Sequence, residues 1–420
     1  MKKLENILGF IIIILVLILG KSQLQGEMLF FRLIMGVGLG YALTRSFAGF
    51  AGSVNRAINT GSTKLMRNLM FMFFISSVLT AGLLFGKDPT TFGLWIRPIN
   101  LGVIVGGIFF GFGMTFSECC ASGVLTDLVA GFPRAFITLI FFMMGVFLGF
   151  PVQQTASWVN DSWITSPIGE QFQKGVFLPD WFKFDGLEGY LGALVLIGIF
   201  CLIVVGLSYL YEKKRKDSNT YTGVPTEQKQ DSIKAFDSKN FKPFSRETYN
   251  YLFANPWTMK QGLVVISLLF LVLMGVTGSG WGASTPYGIW FGKILMAFGV
   301  SSEALAEFTK LSASTFETPF FQHPISVQNF GIVLGTATYF LTAGIFVEIF
   351  KSEINFQPKQ MLLYSLGGIT MGLGTRFANG CNVGALYTPI ANFSLSGWLF
   401  LIAMVAGGVL GSKFKKVVKA

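Results

Sequence analysis

Residues 107–125 read GIFFGFGMTFSECCASGVL, and residues 368–386 read GITMGLGTRFANGCNVGAL. At a constant offset of 261, without a gap, 8 of the 19 positions are identical. They are Gly107/Gly368, Ile108/Ile369, Gly111/Gly372, Gly113/Gly374, Phe116/Phe377, Cys120/Cys381, Gly123/Gly384 and Leu125/Leu386. Glycine is frequent in this chain (50 of 420 residues), so its identities weigh little. A shared cysteine in a chain with only four weighs more, and the pair reads as an internal duplication.

Long apolar runs surround both copies. Nine stretches of 15 to 36 residues contain no Asp, Glu, Lys or Arg, and a helix needs about 20 mostly apolar residues to cross a bilayer. The chain is 52% hydrophobic and 13% charged, against roughly a quarter charged in soluble proteins. A soluble enzyme, a nucleic-acid binder and a disordered protein are thereby excluded. The first run follows Lys2 and Lys3 but precedes no A-x-A-like cleavage site, so it reads as a retained first helix. The two longest runs, 261–292 and 377–412, exceed one span and are interrupted by Gly, Pro, Asn and Ser. Broken backbone at membrane depth is tolerated where it is buried or lines a cavity, so function is sought there.

Charge placement sets the expected topology, because Lys and Arg stay on the cytoplasmic side. Segment 45–68 holds four basic residues and no acid, 212–260 holds ten basic and six acidic residues, and the tail carries four lysines. These segments and the N-terminus are assigned inside. Segments 153–188 and 301–326 are net acidic and are assigned outside. The first cysteine segment then follows an inward helix and its copy an outward one, the mark of an inverted-topology repeat. The expected fold is all-α: a polytopic integral membrane protein with two pseudo-symmetric inverted-topology halves and broken or re-entrant helices at the midplane. The halves are 1–211 and 259–420, joined by a cytoplasmic linker, 212–258, that is solvated by composition.

A helix broken at each cysteine frees backbone N–H groups and turns a positive dipole end towards the break, which suits an anion. The competing reading of the small residues, including Gly123 and Gly384, is close helix packing. Cys120 and Cys381 lie among polar groups: Ser117 and Glu118 on one side, Asn379 and Asn382 on the other. A thiol is a weak, polarizable donor, suited to a ligand with a terminal sulfur or selenium. Cys201, within CLIVVGL, reads as a small core hydrophobe. Cys119 beside Cys120 leaves a vicinal disulfide or a soft-metal site open. Arg376, five residues before Cys381, is read either as an attractor for a dianion or as an interfacial snorkelling side chain. Glu118 is expected to be neutral or off the path, Asp127 and Arg134 to pair, and Trp281 with Thr285–Gly288 to form part of an outer mouth. No phosphate-binding loop, metal-ligand cluster or triad pattern occurs, so neither cofactor nor metal is expected.

The motif Gly-x-Gly-x6-Cys-x-x-Gly in 111–123, its copy GLGTRFANGCNVG in 372–384 and GYALTRSFAGFAG in 40–52 together resemble the YeeE/YedE sulfur-transport family. The length and central insert resemble its longer YedE-type members, which are linked to selenium metabolism. The resemblance implies a multi-pass protein of the cell inner membrane with cytoplasmic termini. It also implies thiosulfate-like anions as substrates, Cys120 and Cys381 as pore thiols, and a small TusA-like sulfur-carrier protein as cytoplasmic partner. The chain departs from the family at Cys119, where glycine is usual, and in 40–52, which lacks a third pore cysteine. The expected function is a permease, not an enzyme, with no covalent step. A membrane thiol-redox enzyme or sensor cycling Cys119 and Cys120, and a membrane scaffold for a soluble sulfurtransferase, are the alternatives.

Overall fold

The structure, a computed structural model, describes residues 2–233, 242–352 and 357–419. The longer helices and those flanking breaks are α1 (Lys2–Gln23), α2 (Glu27–Arg45), α3 (Gly52–Thr60), α4 (Lys64–Leu84), α5 (Leu101–Ser117), α6 (Gly123–Ala130) and α7 (Phe132–Thr155). They continue with α8 (Tyr190–Asp217), α9 (Met259–Thr277), α10 (Thr285–Ala297), α11 (Pro324–Ala343), α12 (Phe346–Ser352), α13 (Pro358–Phe377) and α14 (Ser396–Lys419). Among the described residues, seven of these are long and apolar enough to span a membrane: α1, α2, α4, α7, α8, α9 and α14. At 1.5 Å per residue, the 21 residues of α4 cover about 30 Å, the thickness of a bilayer core.

The apolar runs became helices, and the interruption expected in run 261–292 is present. Run 261–292 divides at 278–284, where the chain leaves α9 through Gly278 (φ 65°) and restarts at Thr285. Helix α11 ends at Ala343. Gly344 then takes a left-handed conformation (φ 68°), and α12 departs at 114°. Glycine adopts that conformation without the Cβ clash other residues meet.

Close helix crossings fix the relative directions. A methyl group on Gly106 would meet the Gly374 carbonyl, and one on Gly113 would meet that of Gly367. The contact numbers rise on α5 as they fall on α13, so these two helices, which carry the repeated segment, run antiparallel. Gly145 and Gly149 of α7 abut Ile369 and Arg376 of α13 in the same order, so α7 and α13 run parallel. Gly107 and Gly411 meet Ala403 and Phe112 respectively, which makes α5 and α14 parallel as well. Gly36 and Gly40 of α2 abut Gln328 and Ile332 of α11, and Ser76 of α4 bonds Ser267 of α9 at 3.0 Å. Each of these pairs takes one helix from each side of the central insert.

In lipid, such crossings depend on backbone approach and dispersion, because lipid tails compete equally for apolar surface. Gly374→Val is therefore expected to lower stability by about 3 kcal/mol, since its Cβ would face the Gly106 carbonyl and Phe110 nitrogen, which cannot rotate away. The thermal midpoint of the detergent-solubilised protein measures it.

The central insert is anchored at several buried residues rather than wholly solvated, a correction to the reading from composition; its residues 234–241 lie outside the described ones. Arg45, only 2% exposed, donates to the carbonyls of Tyr251, Leu252 and Asn255 and to the Tyr41 hydroxyl, and stacks over Trp257. Glu227 pairs with Arg56 at 3.1 Å and accepts from Ser62 at 2.6 Å. Gln230 donates to the carbonyls of Ser46 and Trp257. Polar groups buried this way need such partners, and composition cannot show that they have them. Glu227→Ala is expected to speed tryptic cleavage after Lys229 roughly tenfold, the equivalent of one charge-assisted hydrogen bond, as read by limited proteolysis.

Candidate functional site

Helix α5 ends at Ser117, and Glu118 takes a left-handed backbone (φ 59°). Helix α13 ends at Phe377, and Asn379, 261 positions after Glu118, does the same (φ 55°). Left-handed backbone costs an ordinary residue roughly 1–2 kcal/mol, so its occurrence at both equivalent positions marks a break built in twice. The cysteine follows two residues later in each copy. Helix α6 then starts at Gly123, and a π-helical turn, Asn382–Tyr387, starts after Cys381. Turns of that kind interrupt regular hydrogen bonding and recur at functional sites.

Four breaks converge here: 46–51 after α2, 118–122 after α5, 278–284 after α9, and 378–381 after α13. Phe50, Trp281 and Tyr387 form a mutual aromatic contact with centroids 5.9–6.2 Å apart. The Thr388 hydroxyl donates to the Trp281 carbonyl at 2.7 Å. Tyr287, in the first turn of α10, donates to the Ala121 carbonyl, next to Cys120, at 2.6 Å. Tyr387 shares a 2.9 Å hydrogen bond with Ser76, which in turn bonds Ser267. These contacts hold the breaks in one place.

Cys120 and Cys381 are both fully buried free thiols. The Cys120 sulfur sits 3.5 Å from the Ser122 hydroxyl, and the N–H groups of Gly123 and Ala51 face it. A cavity of about 650 Å³ opens from the face carrying the basic segments and reaches Cys119, Cys120, Ser122 and Gly123. Asn55, Arg56 and Asn59 line its walls, and Thr226 of the insert lies at its border. Cys381 does not line this vestibule.

The remaining residues singled out in the sequence divide. Arg376 is 2% exposed, donates to Gln153 and Ser284 at 3.2 Å each and lies over the Phe150 ring, so it does not snorkel. Asn382 is buried against Met114, with its Oδ1 unpartnered. Gly384 faces the Trp95 ring, 3.0 Å from where a Cβ would stand. Cys119 lines the vestibule, and its carbonyl accepts from Ser117. Ser117 closes the end of α5 by bonding Gly113 and does not line the vestibule. Asn379 accepts from Gln153 at 2.6 Å, away from the vestibule. Glu118, half exposed at the rim, pairs with Lys415 at 2.9 Å and approaches Arg134, which also pairs with Asp127. Its carboxylate is therefore neutralised by partners and off the thiols. Trp281 is fully buried, not part of an outer mouth. Tyr287, Tyr387, Phe50, Trp95 and Asn55 were not distinguished individually by sequence. Aromatic residues are too common here for any one to stand out, although Tyr287 and Phe50 lie within stretches the sequence marked.

The profile of a family described as sulphur transport matches residues 45–410. Two proteins named probable transporter YedE, from Escherichia coli and Salmonella typhimurium, are 27% and 26% identical over 158 residues. Those alignments cover 38% of this chain and 38% of each relative's length. A thiosulfate transporter, TsuA of Spirochaeta thermophila, is 26% identical over 319 residues, 74% of this chain and 77% of that protein.

Proposed function

We propose, from the premise that this chain belongs to the sulphur transport family, that it is a permease for a small sulfur-containing anion of the thiosulfate type. The observation that carries the reading is the pair of buried free thiols at equivalent positions of two helix breaks, one of them at the end of a polar vestibule. Each thiol offers a soft, weak donor to a terminal sulfur, and N–H groups around the Cys120 break supplement it. Binding by several weak groups lets an ion enter and leave, which conduction requires.

The two halves act as an inverted repeat in this reading, supported by the antiparallel run of α5 and α13 and by their reciprocal packing on α14 and α7. The vestibule faces the cytoplasm of the inner membrane, since the basic segments and both termini gather there. The ion crosses from the acidic face, passes Cys381 and then Cys120, and is released into the vestibule. A TusA-like carrier would receive it there. A selenium analogue such as selenosulfate satisfies the same contacts. The pore set is Cys120, Cys381, Cys119, Gly123, Gly384, Asn382 and Arg376; Ser117, Glu118 and Asn379 shape the breaks around it.

Purified protein in liposomes is expected to accumulate radiolabelled thiosulfate, with excess unlabelled thiosulfate competing and chloride not. Accumulation equal to that of protein-free liposomes would reject the reading. Sulfite, selenite and sulfate as competitors then rank the ions.

A further inference from the structure

On the face opposite the vestibule, the extended stretch before α5 carries Arg97. Its guanidinium lies over the Trp95 ring, 4.8 Å from the centroid, and donates to Gln173 at 2.5 Å. Trp95 in turn covers Gly384, three residues after Cys381, and Gly282 of the 278–284 break. Ser284, in that same break, holds Arg376 at 3.2 Å. The ring of Trp95 and a single stretch of backbone thus link the two guanidiniums at the outer side of Cys381.

Neither arginine takes part in an ion pair among the described residues. Arg97 Nε is buried and has no acceptor, and the fully buried Trp281 indole N–H next to Gly282 has none either. Burial, then the charge of Arg376, pulls the Arg97 guanidinium down to about 10. Two like charges linked through one ring and one break, neither paired with a carboxylate among the described residues, repel. A doubly charged anion relieves that repulsion and accepts several of the ten guanidinium N–H groups at once.

We infer that Arg97 and Arg376 form an entry subsite for a dianionic oxoanion, roofed by Trp95 and placed ahead of Cys381. The inference rests on the transport reading and deepens it. The arginine pair selects double charge, and the thiols beyond it select terminal sulfur. Arg97 is a specificity-determining residue in this scheme, and nothing in its sequence context announced it.

The test compares wild type, Arg97→Gln and Arg97→Lys in two measurements: thermal stabilisation of the purified protein by sodium thiosulfate, with the monoanion thiocyanate as control at matched ionic strength, and the concentration dependence of thiosulfate uptake into liposomes. Wild type is expected to be stabilised at far lower thiosulfate than thiocyanate concentrations. Arg97→Gln should raise the half-saturating thiosulfate concentration at least tenfold in both measurements, while its response to thiocyanate stays as in wild type. Arg97→Lys retains a charge without the planar fork and should fall between; it also supplies the answer if Arg97→Gln does not fold. Cys381→Ala should still be stabilised by thiosulfate, because the subsite precedes the thiol. Unchanged half-saturation in Arg97→Gln, or in Arg97→Lys where only that variant folds, overturns the subsite and leaves transport standing. Failure of wild type to accumulate thiosulfate overturns the transport reading itself.

Discussion

Cys381→Ala will reduce thiosulfate uptake roughly tenfold to hundredfold while leaving the amount of protein in the membrane unchanged. The thiol is fully buried at the start of the π-helical turn, where the chain leaves regular helix, and alanine fills most of its volume. What is lost is a polarizable donor towards a charged ligand, and a hydrogen bond to a charged group is worth about 1.5–3 kcal/mol. Cys120→Ala should behave alike, because its sulfur faces the N–H groups of Gly123 and Ala51 at the end of the vestibule. Cys381→Ser retains a donor of harder character and should recover part of the loss. Cys201→Ala is the control: that thiol donates to the Met70 carbonyl in the packed core, apart from the four breaks, and its removal should leave uptake near the wild-type value. Uptake assays normalised to membrane protein decide it. Wild-type activity in both the Cys120 and Cys381 alanine variants would remove the thiols from the path.

Arg376→Gln will have the next largest effect, a loss of roughly tenfold to hundredfold in uptake at low thiosulfate. The guanidinium is buried between Gln153 and Ser284, over Phe150, and no acid among the described residues pairs with it. A buried charge without a fixed counter-charge is costly, and within a span such a group is a functional residue by default. Glutamine keeps a hydrogen-bonding head and removes the charge, so the fold should survive. Arg376→Lys keeps the charge without the planar fork and should lose less. The concentration giving half-maximal uptake is the measurement. If both variants instead lose uptake only in proportion to folded protein, Arg376 is a packing residue.

The parts that sequence made legible share a physical cause. Charge-free runs became helices because lipid leaves the backbone few alternatives. The repeated segment located the paired breaks, since the backbone that ends α5 at Glu118 ends α13 at Asn379. Other features depended on contacts between distant segments, and nothing in local sequence encodes them. Glu118 looked like a charge beside an anion path, but its partner, Lys415, stands 297 residues away. Glu227 and Gln230 sit in a stretch whose composition reads as solvated, yet both are buried by partners from 46–62 and Trp257. Trp281 and Tyr287 lie in one apolar run and Tyr387 in another, and only folding brings them together at the breaks.

The central claim is that Cys120 and Cys381 border one water-filled path, reached from opposite faces of the membrane. Single-thiol variants that retain only one of them, reconstituted in vesicles of known orientation, test this with a membrane-impermeant maleimide. The account predicts that Cys120 reacts from the vestibule face, that Cys381 reacts from the other, and that thiosulfate slows both reactions. Labelling that is indifferent to thiosulfate, or both thiols answering to the same face alone, would contradict it.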